Sequence, residues 1–124
     1  MEEMEFKPNL EKMVFLAMDC LEVGVTILDS QGTLLYYNSS AAKILDRQPE
    51  YVGKDIHLHH KPGTNEKFDF MLHEFAEGRA EPFYYEAKPY GQAILITVAP
   101  IRNAGKFVGC AHCVRLKEAP VKPD

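Results

Sequence analysis

Leu21-Glu-Val-Gly-Val-Thr-Ile-Leu-Asp-Ser-Gln-Gly-Thr-Leu-Leu-Tyr-Tyr-Asn38 holds the pattern that decides the fold. Val23, Val25 and Ile27 alternate with Gly24, Thr26 and Leu28, the period of two that a strand imposes. The polar turn Asp29-Ser-Gln-Gly32 ends on a glycine, which supplies the backbone freedom of a hairpin, and Leu34, Tyr36 and their neighbours form the return strand. Asn38 closes the pair and leads straight into a short helix-forming run, Ser39-Ser-Ala-Ala-Lys-Ile-Leu45.

Upstream of the hairpin, Leu10, Met13, Val14, Ala17 and Leu21 fall at steps of three and four, which predicts a helix from Asn9 to Leu21 with Asn9 as its cap after Pro8. Its apolar face fits either a lid on the chain's own sheet or a contact with another molecule. Downstream, Pro49 and Gly53 mark bends, and Ile56-His-Leu-His-His-Lys-Pro-Gly63 is rich in turn residues. Phe68, Met71, Leu72 and Phe75 are spaced i, i+3, i+4, i+7 and Gly78 follows, so a second amphipathic helix is expected there. The remainder reads as three strands, 83–87, 93–99 and 107–116, separated by Pro89-Tyr-Gly91 and Arg102-Asn-Ala-Gly105. This order predicts an α+β fold: a five-stranded antiparallel sheet, short helices on one face, and an amphipathic N-terminal helix. The expected divisions are an N-terminal helix or cap over 1–20, one domain over 21–117 and a flexible tail over 118–124, where two prolines leave little to bury.

With 124 residues there is material for one core and not for two. A net charge of −4 without a Lys/Arg cluster argues against nucleic-acid binding, whose affinity comes from phosphate contacts. No apolar run has membrane-spanning length, and Met1-Glu-Glu-Met-Glu5 is acidic where a secretory signal is basic, so the expected location is the cytoplasm. Cys20, Cys110 and Cys113 are an odd, sparse set, for which reduced thiols are the default.

The residues from Leu21 to Leu45 resemble the opening of a PAS domain: a strand ending in Asp, a Gly turn, a strand ending in Asn, and an Ala-rich helix. Tyr51-Val-Gly-Lys-Asp-Ile56 is similar to the segment that follows in that family, and Ala99 to Gly109 resembles its closing hairpin. A narrower resemblance runs from Gly53 through His60-Lys-Pro62 to Gly78. It is similar to the PAS subtype with a Cys-His-Pro-Pro-Lys pattern and to the haem-bearing PAS domain of carbon-monoxide-responsive LytTR-type bacterial regulators.

That resemblance implies haem b, with His60 as the iron ligand; His57 and His59 lie two apart and share a side if the segment is extended, which makes His59 the fallback ligand. For a haem sensor, Met71, Leu72, Leu95 and Val108 are the candidate pocket walls. The resemblance also matches Cys110-Ala-His-Cys113 to a Cys-x-x-Cys in the regulators' last strand. The chain departs from the pattern in having Lys61-Pro62 after His60. It also has no Cys or Met between Gly78 and Tyr90, where those regulators carry second axial ligands, so their ligand exchange is not carried over.

An imidazole suits haem iron when it projects from a rigid element into an apolar pocket; the competing reading of His59 and His60 is a surface turn facing water. Zinc held by His57, His59, His60, Cys110 and Cys113 is a weaker alternative, because residues three apart on a regular strand point to opposite faces. The flavin-linked Asn-Cys-Arg-Phe-Leu motif is absent. No phosphate loop, catalytic triad or paired-carboxylate motif suggests an enzyme, and Glu66, Asp69 and Glu74 read as a solvated helix face. Two functions are therefore expected: a haem-based gas or redox sensor, or a haem-free PAS module for homodimerisation, docking or binding a small metabolite. In either, a homodimer through the N-terminal helix or the sheet and a separate signalling partner are expected.

Overall fold

The computed structural model describes residues 7–59 and 63–118. Strands β1 (Gly24–Asp29) and β2 (Leu34–Tyr37) form the expected hairpin. Asp29 organises the turn: its Oδ1 accepts from the backbone N–H groups of Gln31 and Thr33, both at 2.9 Å, while Gly32 adopts φ +90°, where a Cβ would be strained.

Helix α1 (Leu10–Cys20) precedes this hairpin, and α2 (Ser39–Ile44) and α3 (Thr64–Ala76) follow it, with 3-10 turns at Pro49–Tyr51 and Ile56–His59 between them. Strands β3 (Phe83–Ala87), β4 (Ile94–Asn103) and β5 (Lys106–Leu116) complete one antiparallel sheet of order β2-β1-β5-β4-β3. The first and last strands thus meet in the middle of the sheet. β4 runs to Asn103, beyond the apolar stretch that ends at Ala99, because pairing with β5 continues to the turn at Ala104 and Gly105. Cross-strand partners, not local hydrophobicity, set that limit.

One face of the sheet carries the core. Leu28, Ile94, Ile96, Val98, Cys110 and Val114 pack with Leu34, Ile56 and the α3 residues Phe68, Met71 and Phe75. Phe75 is fully buried, its ring 5.3 Å from that of Phe83 and 5.9 Å from that of Phe107. Burying such a side chain contributes roughly 1.5–3 kcal/mol. The end of α3 is closed by Arg102, whose guanidinium donates to the carbonyls of Phe75 (2.8 Å) and Arg79 (2.9 Å), a cation placed at the negative end of the helix.

α2 lies against β1 because residue 24 is glycine. A Cβ there would come within 2.7 Å of the Ala41 Cα, so any larger residue forces the helix off the sheet. Asn38 ties this junction together. Its Oδ1 accepts from the N–H groups of Val25 (2.8 Å) and Ala41 (3.0 Å), and its Nδ2 donates to the carbonyls of Met18 (2.7 Å) and Val23 (3.0 Å).

α1 begins as expected, with Asn9 Oδ1 accepting from Lys12 N–H at 2.8 Å, yet the helix buries no residue. It touches the body through Phe15 on Tyr36 (5.3 Å between rings) and through Met18 and Asp19, which accept from Asn38 and Ser39. Leu10, Met13, Val14 and Leu21 stay exposed, so of the two readings of this face, a lid on the sheet or a contact with another molecule, the lid is not what these four residues form.

Candidate functional site

His60 lies outside the described residues, as does the side chain of His59. Position 59 ends a 3-10 turn, not a strand, so the alternation that would place His57 and His59 on one side does not operate. Met71 is buried in the core cluster and Leu72 packs against it. Leu95 has the opposite parity to Ile94, Ile96 and Val98, and it lines a hollow on the other face of the sheet with Tyr84, Glu86, Thr97 and Cys113. Val108 is exposed, because the bulge opposite Ile101 and Arg102 leaves it out of the register. The four implied porphyrin walls therefore do not face a common space, and among the described residues the space under α3 is occupied by Phe68, Met71 and Phe75.

Cys110 is fully buried, with its thiol pushed up to about 12 by burial; Cys113, half-buried on the opposite face, is raised for the same reason. Neither is a poised thiolate. Among the described residues no group of three or more His, Cys, Asp and Glu side chains is placed to hold a metal ion.

His57 takes a role the sequence did not suggest. Its Nδ1 meets Asp55 Oδ1 at 2.5 Å and its Nε2 meets Asp69 Oδ1, joining the 3-10 turn to α3. Asp69, read from sequence as part of a solvated helix face, is thus half of a clasp. The two carboxylates, Asp69 first, raise the imidazole pKa above its ordinary value, against a smaller opposing effect of burial. Edge-on contact with Phe68 (5.4 Å) fixes the ring.

A cavity of about 920 Å³ opens at the other end of the fold, between α2, the segment before β4, and the end of β5. Ile44, Leu45, Ile94 and Leu116 give it apolar walls. Lys43 and Arg115 supply two cations and Glu22 and Asp46 two carboxylates. Tyr90 stands on the opposite wall from α2, its Oη accepting from the Asp46 N–H at 3.3 Å.

Arg47, the chain neighbour of the lining residue Asp46, is not itself part of the cavity wall and is only 9% exposed. Its Nε donates to Thr26 Oγ1 of β1 at 3.3 Å, its one side-chain hydrogen bond among the described residues. Burial lowers its pKa, partly offset by Tyr90 and Asp46. No sequence pattern marks Arg47: it stands in the connection Asp46-Arg-Gln48 after α2, where an arginine is ordinarily solvated, and only its burial sets it apart.

A family model described as a PAS domain matches residues 15–114. The chain belongs to the PAS domain family. Solved structures agree with that assignment at the level of fold. A C-terminal domain from Streptococcus mutans superposes with a TM-score of 0.72 at 22% identity, covering 93% of this chain and 90% of its own. The PAS domain of BvgS from Bordetella pertussis gives 0.68 at 14% identity, covering 88% and 87%. The Aer2 receptor of Vibrio cholerae, described as a dual PAS-heme oxygen sensor, gives 0.59 at 19% identity over 77% of this chain and 95% of that one. No curated protein matches. Within the PAS family, neither the LytTR-regulator type nor the Cys-His-Pro-Pro subtype finds a counterpart in these matches. Among the described residues no helix is long and apolar enough to cross a membrane.

Proposed function

We propose that this PAS domain is a small-molecule sensor module whose ligand enters the cavity between α2 and the end of β5, and that it acts as a homodimer on a separate signalling partner. The observation that carries the reading is the make-up of the cavity wall. It joins α2 to Arg115 and Leu116, the last two residues of the central strand β5, so an occupant contacts the segment through which the chain leaves the sheet. A ligand shifts a conformational equilibrium only by contacts that differ between the two states, and a site shared between helix and strand end provides them. The uncovered apolar side of α1, with Leu10, Met13 and Val14, is the surface for the second copy.

Thermal-shift screening against a metabolite library tests the ligand site: compounds that raise the melting temperature should lose their effect in Ile44→Trp, which fills the cavity. Stabilisation that survives Ile44→Trp, or none at all, overturns the assignment. For the dimer, light scattering should show two copies that dissociate in Val14→Glu.

Haem held by His60 is the second reading, supported by the sequence resemblance. Aer2 shares the fold and is a haem sensor, which is a statement about Aer2 alone. Protein reconstituted with hemin should show a Soret band that His60→Ala removes, whereas a band unchanged in His60→Ala, or none, ends this reading.

A further inference from the structure

We propose that the apolar side of α1 seats on a second copy of this chain, in the hollow on the face of its sheet turned away from the core, so that each copy lends its helix to the other. This rests on α1 being the dimer surface and names what the helix meets there. Both halves of the contact stand uncovered within one chain: Leu10 of α1 is 82% exposed and Tyr84 of β3 is 73% exposed, beside a hollow of about 620 Å³. The register puts the hollow's side chains on one face, since Tyr84 and Cys113 both stand opposite Thr97, with Leu95 two residues along β4. Thr97 and Cys113 are small, as are Ala99 and Ala111 in the next row, so a helix can approach closely. The carboxylate at the rim, Glu86, is held by Lys117 Nζ at 2.8 Å and presents no naked charge to an apolar helix.

α1 does not reach the hollow of its own chain. It is fixed at the far edge of the sheet, with Phe15 against Tyr36 of β2, Asp19 accepting from the Ser39 N–H and the Met18 carbonyl accepting from Asn38. Tyr36 lies in the row of Ile27, Ala111 and Ala99, on the same face as the hollow. In the order β2-β1-β5-β4-β3, however, β4 is three strands from β2, about 14 Å at the usual spacing. β5 is the middle strand. A two-fold axis along it, between two sheets that face each other, sets the β2 half of one copy over the β4 and β3 half of the other. Each α1 then comes over the hollow it cannot reach at home, and the contact occurs twice, as a self-complementary interface requires. The repetition matters for size. α1 has 11 residues and is about 16 Å long, so one helix on one sheet is small against the roughly 1,200 Å² that a specific interface buries, and the two-fold doubles it.

Light scattering of the full chain and its variants, alone and mixed, tests this. Val14→Glu and Thr97→Lys each place an unpaired charge in the contact, and each should weaken the dimer at least about tenfold. Mixed together they should dimerise again, because one contact of the mixed pair is native and the other sets the introduced carboxylate on the introduced ammonium. Recovery on mixing also shows that both variants fold. Leu95→Glu mixed with Val14→Lys repeats the exchange with the signs reversed and keeps the test open if Thr97→Lys does not fold. Thr97→Lys and Leu95→Glu that stay dimeric overturn the hollow and leave α1 as the dimer surface. Variants that are monomeric alone and in both mixtures overturn it too. Val14→Glu that stays dimeric, or a monomeric wild type, overturns the α1 reading and this one with it.

Discussion

The two ends of α2 hold the two most telling buried polar side chains, and they are treated in opposite ways. Asn38, before the helix, is 1% exposed and uses both its acceptor and its amino group, meeting four backbone partners on α1, β1, α2 and the segment between them. Arg47, just beyond the helix, is 9% exposed and makes a single side-chain hydrogen bond. A buried polar group with all its partners in place rigidifies a junction and specifies the fold. One with most of its donors unused leaves an electrostatic demand for something else to meet.

The largest effect should come from breaking the satisfied end. Asn38→Ala orphans two buried N–H groups and two carbonyls, each at about 1–3 kcal/mol before relaxation, so a loss of roughly 3 kcal/mol is expected in urea denaturation. Asn38→Asp sharpens the point. It keeps the acceptor for Val25 and Ala41 but turns an oxygen toward the carbonyls of Met18 and Val23, and it should not recover the loss. A change below about 0.5 kcal/mol in both variants would show that this junction is not held by its hydrogen bonds.

At the other end of α2 the expected sign reverses. Arg47→Met removes a buried cation and keeps most of the volume, so the unliganded protein should be stabilised, by about 1 kcal/mol. Destabilisation of similar size would mean that the hydrogen bond to Thr26 is structural, and the contrast between the two ends would disappear.

The fold was legible in the sequence because its signals are local. The turn chemistry at Asp29 and Gly32, the caps at Asn9 and Asn38, and the spacing of Phe68, Met71 and Phe75 each act within a few residues. The strand faces of Val108 and Leu95 were not: a bulge between β4 and β5 leaves Val108 out of the register, and the face of Leu95 follows from its pairing with Glu86 and Arg115, both properties of strand pairs and not of one strand. Site chemistry was less legible still. The histidine cluster drew attention to residue 60, which lies outside the described residues, while the polar groups brought together are His57 with Asp55 and Asp69, twelve residues apart at the widest, and Arg47 with Thr26, twenty-one apart. Neither pairing has a periodicity or motif to reveal it.

The His57 clasp is a second satisfied polar node, and its effect should be the smallest because both carboxylates are more than half exposed and screened by salt. Each ring nitrogen faces a carboxylate oxygen, so the arrangement is complete only when both nitrogens carry protons. The folded protein therefore holds the proton more tightly than the unfolded chain, whose imidazole titrates at about 6.5. Stability from this source is fully present below that value and is lost as pH rises through the raised folded pKa. NMR titration should place the His57 midpoint above 6.5, and the stability difference between wild type and His57→Gln should be level between about pH 5 and 6 and shrink at higher pH. Asp69→Asn should bring the midpoint down by removing the larger of the two contributions. A difference that grows with pH would mean the ring sits neutral between its carboxylates; the clasp would then hold a polar group with a demand unmet, as Arg47 does, and would no longer belong with Asn38.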